Sequence, residues 1–86
     1  MTKKDKLLKR FCSLPKDFTF EEAVTLFGIF GFSLDNKGGT SGSRVGFRNE
    51  ADNAYYTMHR PHPDNRIKSY QMEQILKFLH ENGYLK

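Results

Sequence analysis

Arg44-Val45-Gly46-Phe47-Arg48 and Ala54-Tyr55-Tyr56-Thr57-Met58-His59 are the two runs whose reading decides the fold. Each alternates with the period of two that sends successive side chains to opposite faces of a strand. Asn49 to Asn53 is a short polar connection between them, so the two strands are expected to pair antiparallel. Val45 and Phe47 then form the inward set of one strand, with Tyr56 and Met58 the inward set of the other. Arg44, Gly46, Arg48, Tyr55, Thr57 and His59 share the opposite, open face. Pairing Val45 with Met58 sets Arg44 across from His59, and a slip of one residue would part them.

Working outward, Phe32 and Leu34 alternate with Ser33 and Asp35, a third strand of the same meander, joined to Arg44 by the glycine-rich turn Asn36 to Ser43. Before it, Thr19-Phe20-Glu21-Glu22 is a capping box that starts a helix at Phe20. Phe20, Ala23, Val24, Phe27 and Phe30 give that helix a buried stripe, and Gly31 ends it. Lys3 to Phe11 is a basic helical arm carrying Leu7, Leu8 and Phe11 on one narrow stripe, its charges read as a solvated face; Ser13-Leu14-Pro15 separates it from the rest. After the turn Pro63-Asp64-Asn65, Ser69 is expected to cap a last helix with Met72, Ile75, Leu76 and Leu79 buried. Gly83 stops that helix, leaving Tyr84 and Leu85 to fold back. The order helix, helix, strand, strand, strand, helix describes an α+β two-layer sandwich, a three-stranded antiparallel sheet packed against helices.

The size bounds the function. With 86 residues the chain is one domain over 1–86, with 1–13 as the basic arm, and any site must lie on an open face. A formal net charge of +4 fits a polyanionic partner as well as a merely basic surface. The single cysteine, Cys12, cannot form an internal disulfide, which favours a reducing compartment. No apolar run is long enough for a membrane span or a signal peptide, so the expected location is cytoplasmic.

The open face is where the chemistry gathers. Arg44 and Arg48 can neutralise phosphates, Tyr55 can stack a base and His59 can exchange a proton. Gly46 between them removes side-chain bulk, so that a ligand backbone could approach closely; a simple bulge is the other reading. His59-Arg60-Pro61-His62-Pro63 follows directly, its prolines holding an extended loop. Arg60, Arg66 and Lys68, the last at a helix start, are further phosphate contacts or plain surface charges. His59 with His62 is a poor metal site because no third ligand is evident. His80, beside Glu81, reads as a solvated residue of the last helix.

In their order along the chain, Leu14-Pro15-Lys16-Asp17-Phe18-Thr19, Gly31-Phe32, Gly42-Ser43-Arg44-Val45-Gly46-Phe47, the His59 to Pro63 segment, and Ile67-Lys68 leading to Gln74-Ile75 resemble the HicA family of bacterial toxins. The resemblance covers nearly the whole chain after residue 13. It implies a fold like double-stranded-RNA-binding domains with an added N-terminal helix, and an mRNA interferase that cleaves mRNA without a cofactor and is neutralised by a HicB-type antitoxin protein. In that family a histidine follows the Gly-Ser pair and is taken as catalytic; here the residue is Arg44. Arginine holds its proton too tightly to act as a base, so the proton-transfer role falls to His59 across the strand pair. Arg44, Arg48, Tyr55, Arg60, His62 and Lys68 are the candidate RNA-binding residues. A noncatalytic RNA-binding domain, or an antitoxin-binding protein that has lost catalysis, would carry the same residues.

Overall fold

In a computed structural model of the chain, residues 2–35, 44–61 and 64–85 are described. Three helices, α1 (Lys3–Cys12), α2 (Phe20–Ile29) and α3 (Ser69–Glu81), accompany three strands, β1 (Ser33–Asp35), β2 (Arg44–Asn49) and β3 (Ala54–His59). The strands form one antiparallel sheet in the order β1-β2-β3. The β2–β3 register sets Val45 against Met58 and Arg44 against His59, as the alternation of apolar residues requires. The glycine-rich turn expected at Asn36 to Ser43 lies outside the described residues.

The core is built by aromatic rings meeting across the inner face of the sheet. Phe27 of α2 stacks on Phe47 of the middle strand at 4.1 Å between centroids and on Tyr56 of β3 at 5.7 Å. Phe78 of α3 reaches the same Tyr56 ring at 4.7 Å, so α2 and α3 both pack on this face. Met72, Ile75 and Leu79 complete α3's contribution, all buried, while Leu76 is only partly covered. The α2 stripe differs from the expected one: Leu26 is fully buried, whereas Val24 and Phe30 are half-buried. Helix α1 packs against α2 and inserts a fully buried Phe11. Glu22, one helical turn before Leu26, takes Arg10 of α1 in a two-pronged ion pair at 2.7 and 3.1 Å. The arm's charges are therefore not all solvated, because Arg10 serves as the pin that docks it.

Helix ends follow local rules. Thr19 and Glu22 form the expected capping box of α2, and Thr2 with Asp5 forms one on α1 that the sequence reading did not include. α2 and α3 both finish in a Schellman turn. At the first, Gly31 at φ 91° lets the Phe32 N–H donate to the Phe27 carbonyl at 3.0 Å. At the second, Gly83 at φ 80° lets the Tyr84 N–H donate to Leu79 at 2.9 Å. Phe32, expected in the strand, is instead held by this turn and buried by its edge contact with Phe27. Tyr84 folds back onto Phe30 and Phe32 as expected. Its hydroxyl donates to Asp52 at 2.8 Å, beside the buried Asn49, whose carboxamide binds the Phe30 carbonyl.

One further departure concerns the approach to α3. Lys68, not Ser69, is the N-cap; its backbone N–H donates to the Gln71 side-chain oxygen at 3.2 Å, and Ser69 is already helical. Between α3 and the bend at Asp64-Asn65, where a turn is expected, the chain pairs with the entry to α2. Thr19 bridges Arg66, and the Ile67 N–H donates to the Phe18 carbonyl at 2.7 Å. That pairing buries Ile67 and ties the start of α3 to the start of α2.

Two outcomes test this account. Phe27→Ala should destabilise the protein by about 3–5 kcal/mol, since a buried ring shared by two strands is lost; the denaturant midpoint reports it. The Arg10 guanidinium, followed by the Thr19 N–H, holds the Glu22 carboxyl down at about 2 from its ordinary 4.5. A depressed carboxyl contributes its stability fully above about 4.5 and loses it as the pH falls toward 2. Because Glu22 is partly exposed, screening keeps the contribution near 1 kcal/mol. Glu22→Gln should therefore be less stable at neutral pH and lose less between pH 5 and 2 than the parent, as read by thermal unfolding across that range. Parallel acid limbs would remove Glu22 from the account.

Candidate nucleic-acid interface

The face of the sheet away from the helices carries Arg44, Gly46 and Arg48 from β2 and Tyr55, Thr57 and His59 from β3. Strand alternation puts them there, and the register makes Arg44–His59, Gly46–Thr57 and Arg48–Tyr55 the directly opposed pairs. In such pairs the Cβ atoms are about 4.5–5.5 Å apart, so the Arg44 and His59 side chains are neighbours. Four of the residues singled out by sequence thus lie on one exposed surface.

Their electrostatic states differ. Of the five arginines, Arg10, Arg48 and Arg66 are paired with carboxylates. Arg60 lies over the Phe20 ring at 4.9 Å. Among the described residues Arg44 donates to the Thr57 hydroxyl at 3.5 Å and has no carboxylate partner. Arg48 donates through Nε to Asp35 at 3.3 Å and lies over the Tyr55 ring at 5.0 Å. A phosphate arriving at Arg48 must share it with Asp35, while Arg44 has no such competitor among the described residues.

One expectation is corrected here. The space left by Gly46 is not open to a ligand backbone, because the Tyr55 ring and hydroxyl already occupy it and a methyl group at Gly46 would overlap them. Arg60, one residue beyond β3, turns to the helix side, over Phe20 and beside a cleft of about 530 Å³ that also contains Glu21, Val24 and Leu34. Lys68 is exposed at the N-cap of α3. His62 lies outside the described residues, and His80 is exposed on α3.

A smaller cleft, about 180 Å³, opens where the outer face meets the first turns of α3. Arg44, Thr57 and His59 form one wall, and Tyr70, Gln71 and Gln74 the other. Gln71, though buried, donates from its carboxamide to the His59 carbonyl at 3.1 Å while accepting from Lys68. It therefore joins the end of β3 to the start of α3. Tyr70, Gln71 and Gln74 were absent from the sequence-level candidates. Tyr70 and Gln74 fall on the polar side of an amphipathic helix, and only the packing of α3 beside β3 brings them to His59. Among the described residues, no three His, Cys, Asp or Glu side chains cluster as metal ligands, and no helix is long and apolar enough to cross a membrane.

Comparison with models of known families, with curated proteins and with solved structures found no match to this chain. The class that the fold defines is a small α+β domain with a basic residue pair exposed on an uncovered sheet face.

The filling of Gly46 by Tyr55 makes a coupled prediction. Gly46→Ala should cost about 1 kcal/mol in the parent, through displacement of Tyr55 from Arg48, and measurably less in a Tyr55→Ala background. Additive costs, within about 0.3 kcal/mol in denaturant titrations, would mean that Tyr55 does not depend on the gap.

Proposed function

We propose that this chain binds RNA on the outer face of its sheet and cleaves it as a HicA-like mRNA interferase, a cytoplasmic toxin neutralised by a HicB-type antitoxin. The observation that carries the reading is Arg44, which among the described residues has neither a carboxylate nor an aromatic ring against it, directly across the ladder from His59. The helix–strand order supports the likeness to double-stranded-RNA-binding domains that the family resemblance implies.

In this mechanism the His59 imidazole takes the proton of a 2′-hydroxyl as that oxygen attacks the adjacent phosphorus. The bond from phosphorus to the 5′-oxygen then breaks, and the leaving oxygen receives a proton from the histidinium or from water. A 2′,3′-cyclic phosphate and a 5′-hydroxyl end result. Arg44 sits where charge develops on the phosphorane, and its fixed positive charge lowers that barrier. Arg48, Tyr55 and Lys68 hold flanking RNA, with His62 further along the chain as a contact for a longer strand. Gln71 keeps the end of β3, and hence His59, in place through the His59 carbonyl.

The test is incubation of the protein with a long mRNA in EDTA beside His59→Ala and Arg44→Ala. His59→Ala should lose at least about 100-fold in cleavage rate with RNA affinity nearly kept. Arg44→Ala should bind more weakly, with the salt slope of log affinity reduced by about one. Equal cleavage by His59→Ala would move the chemistry elsewhere. RNA binding with no cleavage by the parent would leave a noncatalytic RNA-binding domain.

A further inference from the structure

The cleft between His59 and α3 has features that cleavage of a phosphodiester does not itself require. Tyr70 is the most exposed large hydrophobic side chain of the described residues, at 56%, yet it stands beside an arginine and a histidine. Gln74, one helical turn on, lies on the same side of α3 and is exposed. No hydrogen bond engages its carboxamide among the described residues. The larger clefts contain carboxylates, Glu21 in one and Asp35 with Glu50 in the other; this one has none on its walls. At about 180 Å³ it is below the roughly 300–1,000 Å³ of ordinary small-molecule pockets. Its size suits one planar ring system.

We infer that this cleft is a subsite for a single unpaired nucleobase, stacked on Tyr70 and hydrogen-bonded at its edge by Gln74, next to the phosphate held by Arg44. The inference rests on the reading of the outer face as an RNA surface and adds to it a preference for single strands. An aromatic ring gives a platform for any base face. A primary carboxamide offers a donor and an acceptor side by side, the pattern that reads adenine on an exposed edge. The backbones that carry the two walls are joined before binding, since the Gln71 carboxamide bonds both the His59 carbonyl and the Lys68 N–H, so only the Tyr70 and Gln74 side chains are ordered when the base enters. A base paired in a duplex cannot reach Tyr70, and a duplex gains nothing from it.

Titration of the protein with a fluorescent 2′-fluoro single-stranded RNA, which has no 2′-hydroxyl to attack, and with a blunt 2′-fluoro duplex of the same sequence tests this, using Tyr70→Ala, Tyr70→Phe, Gln74→Ala and Arg44→Ala. Tyr70→Ala should bind the single strand about tenfold more weakly, with its salt slope unchanged, and bind the duplex as the parent does. Tyr70→Phe should keep the parent affinity. Gln74→Ala should narrow the difference between adenine-containing and uridine-only strands. Parent-like binding of the single strand by Tyr70→Ala, while Arg44→Ala is weakened, would overturn the base subsite and leave the RNA face standing. An equal loss on single strand and duplex would overturn it as well, making Tyr70 a general contact. If the parent binds neither RNA, the reading of the face fails and the subsite with it.

Discussion

The Phe27 ring stacked on Phe47 is the contact on which the rest of the structure depends. Phe47 belongs to the middle strand, so one helix side chain fixes the height of α2 above the sheet for both neighbouring strands. Phe27 also meets Tyr56, and through that ring the contact passes to Phe78 and α3. In a chain this small, a few large aromatic side chains supply much of the apolar area that can be removed from water. The residue that centres the core also ends its helix, since its carbonyl accepts the Phe32 N–H in the turn at Gly31. Core packing and chain reversal are thereby coupled at one position.

With the inner face committed to aromatic packing, the outer face is left to polar side chains by the geometry of the strand alone. Its arginines are not equivalent. Asp35 compensates Arg48 from the neighbouring strand, and Tyr55 fills the gap over Gly46 while lying under the Arg48 guanidinium. That half of the face is self-satisfied. At the other end, near Arg44 and His59, α3 closes against the sheet through Gln71, a buried polar residue with both ends of its carboxamide bonded. The strand pair thus carries an ion pair at one end and, among the described residues, an arginine without a carboxylate partner at the other.

Much of this was legible in the residues. The alternation in Arg44 to Arg48 and in Ala54 to His59 is strong because one face must be dry, and the same constraint sets the register that brings Arg44 to His59. Thr19 with Glu22, Gly31 and Gly83 mark helix ends because their requirements are local. The role of Arg10 is not legible because its partner Glu22 lies on another helix. Phe32 was taken for a strand residue since a buried aromatic beside an alternating run looks the same whether a ladder or a helix-end turn holds it. The role of Gly46 was misread because an absent side chain does not show which neighbour fills its space.

Hydrophobic period and capping chemistry act over a few residues, so the elements, the faces of the strands and the pairing of Arg44 with His59 can be read from residue order. Which of the described charges have a carboxylate partner, and which side chains wall the cleft, follows from how the elements pack. Whether a guanidinium meets a carboxylate depends on where another element lies, as with Asp35 against Arg48 and Glu22 against Arg10. Tyr70 and Gln74 reach His59 because α3 is placed along β3 by its buried residues on the opposite side, a constraint their own positions in the sequence do not express.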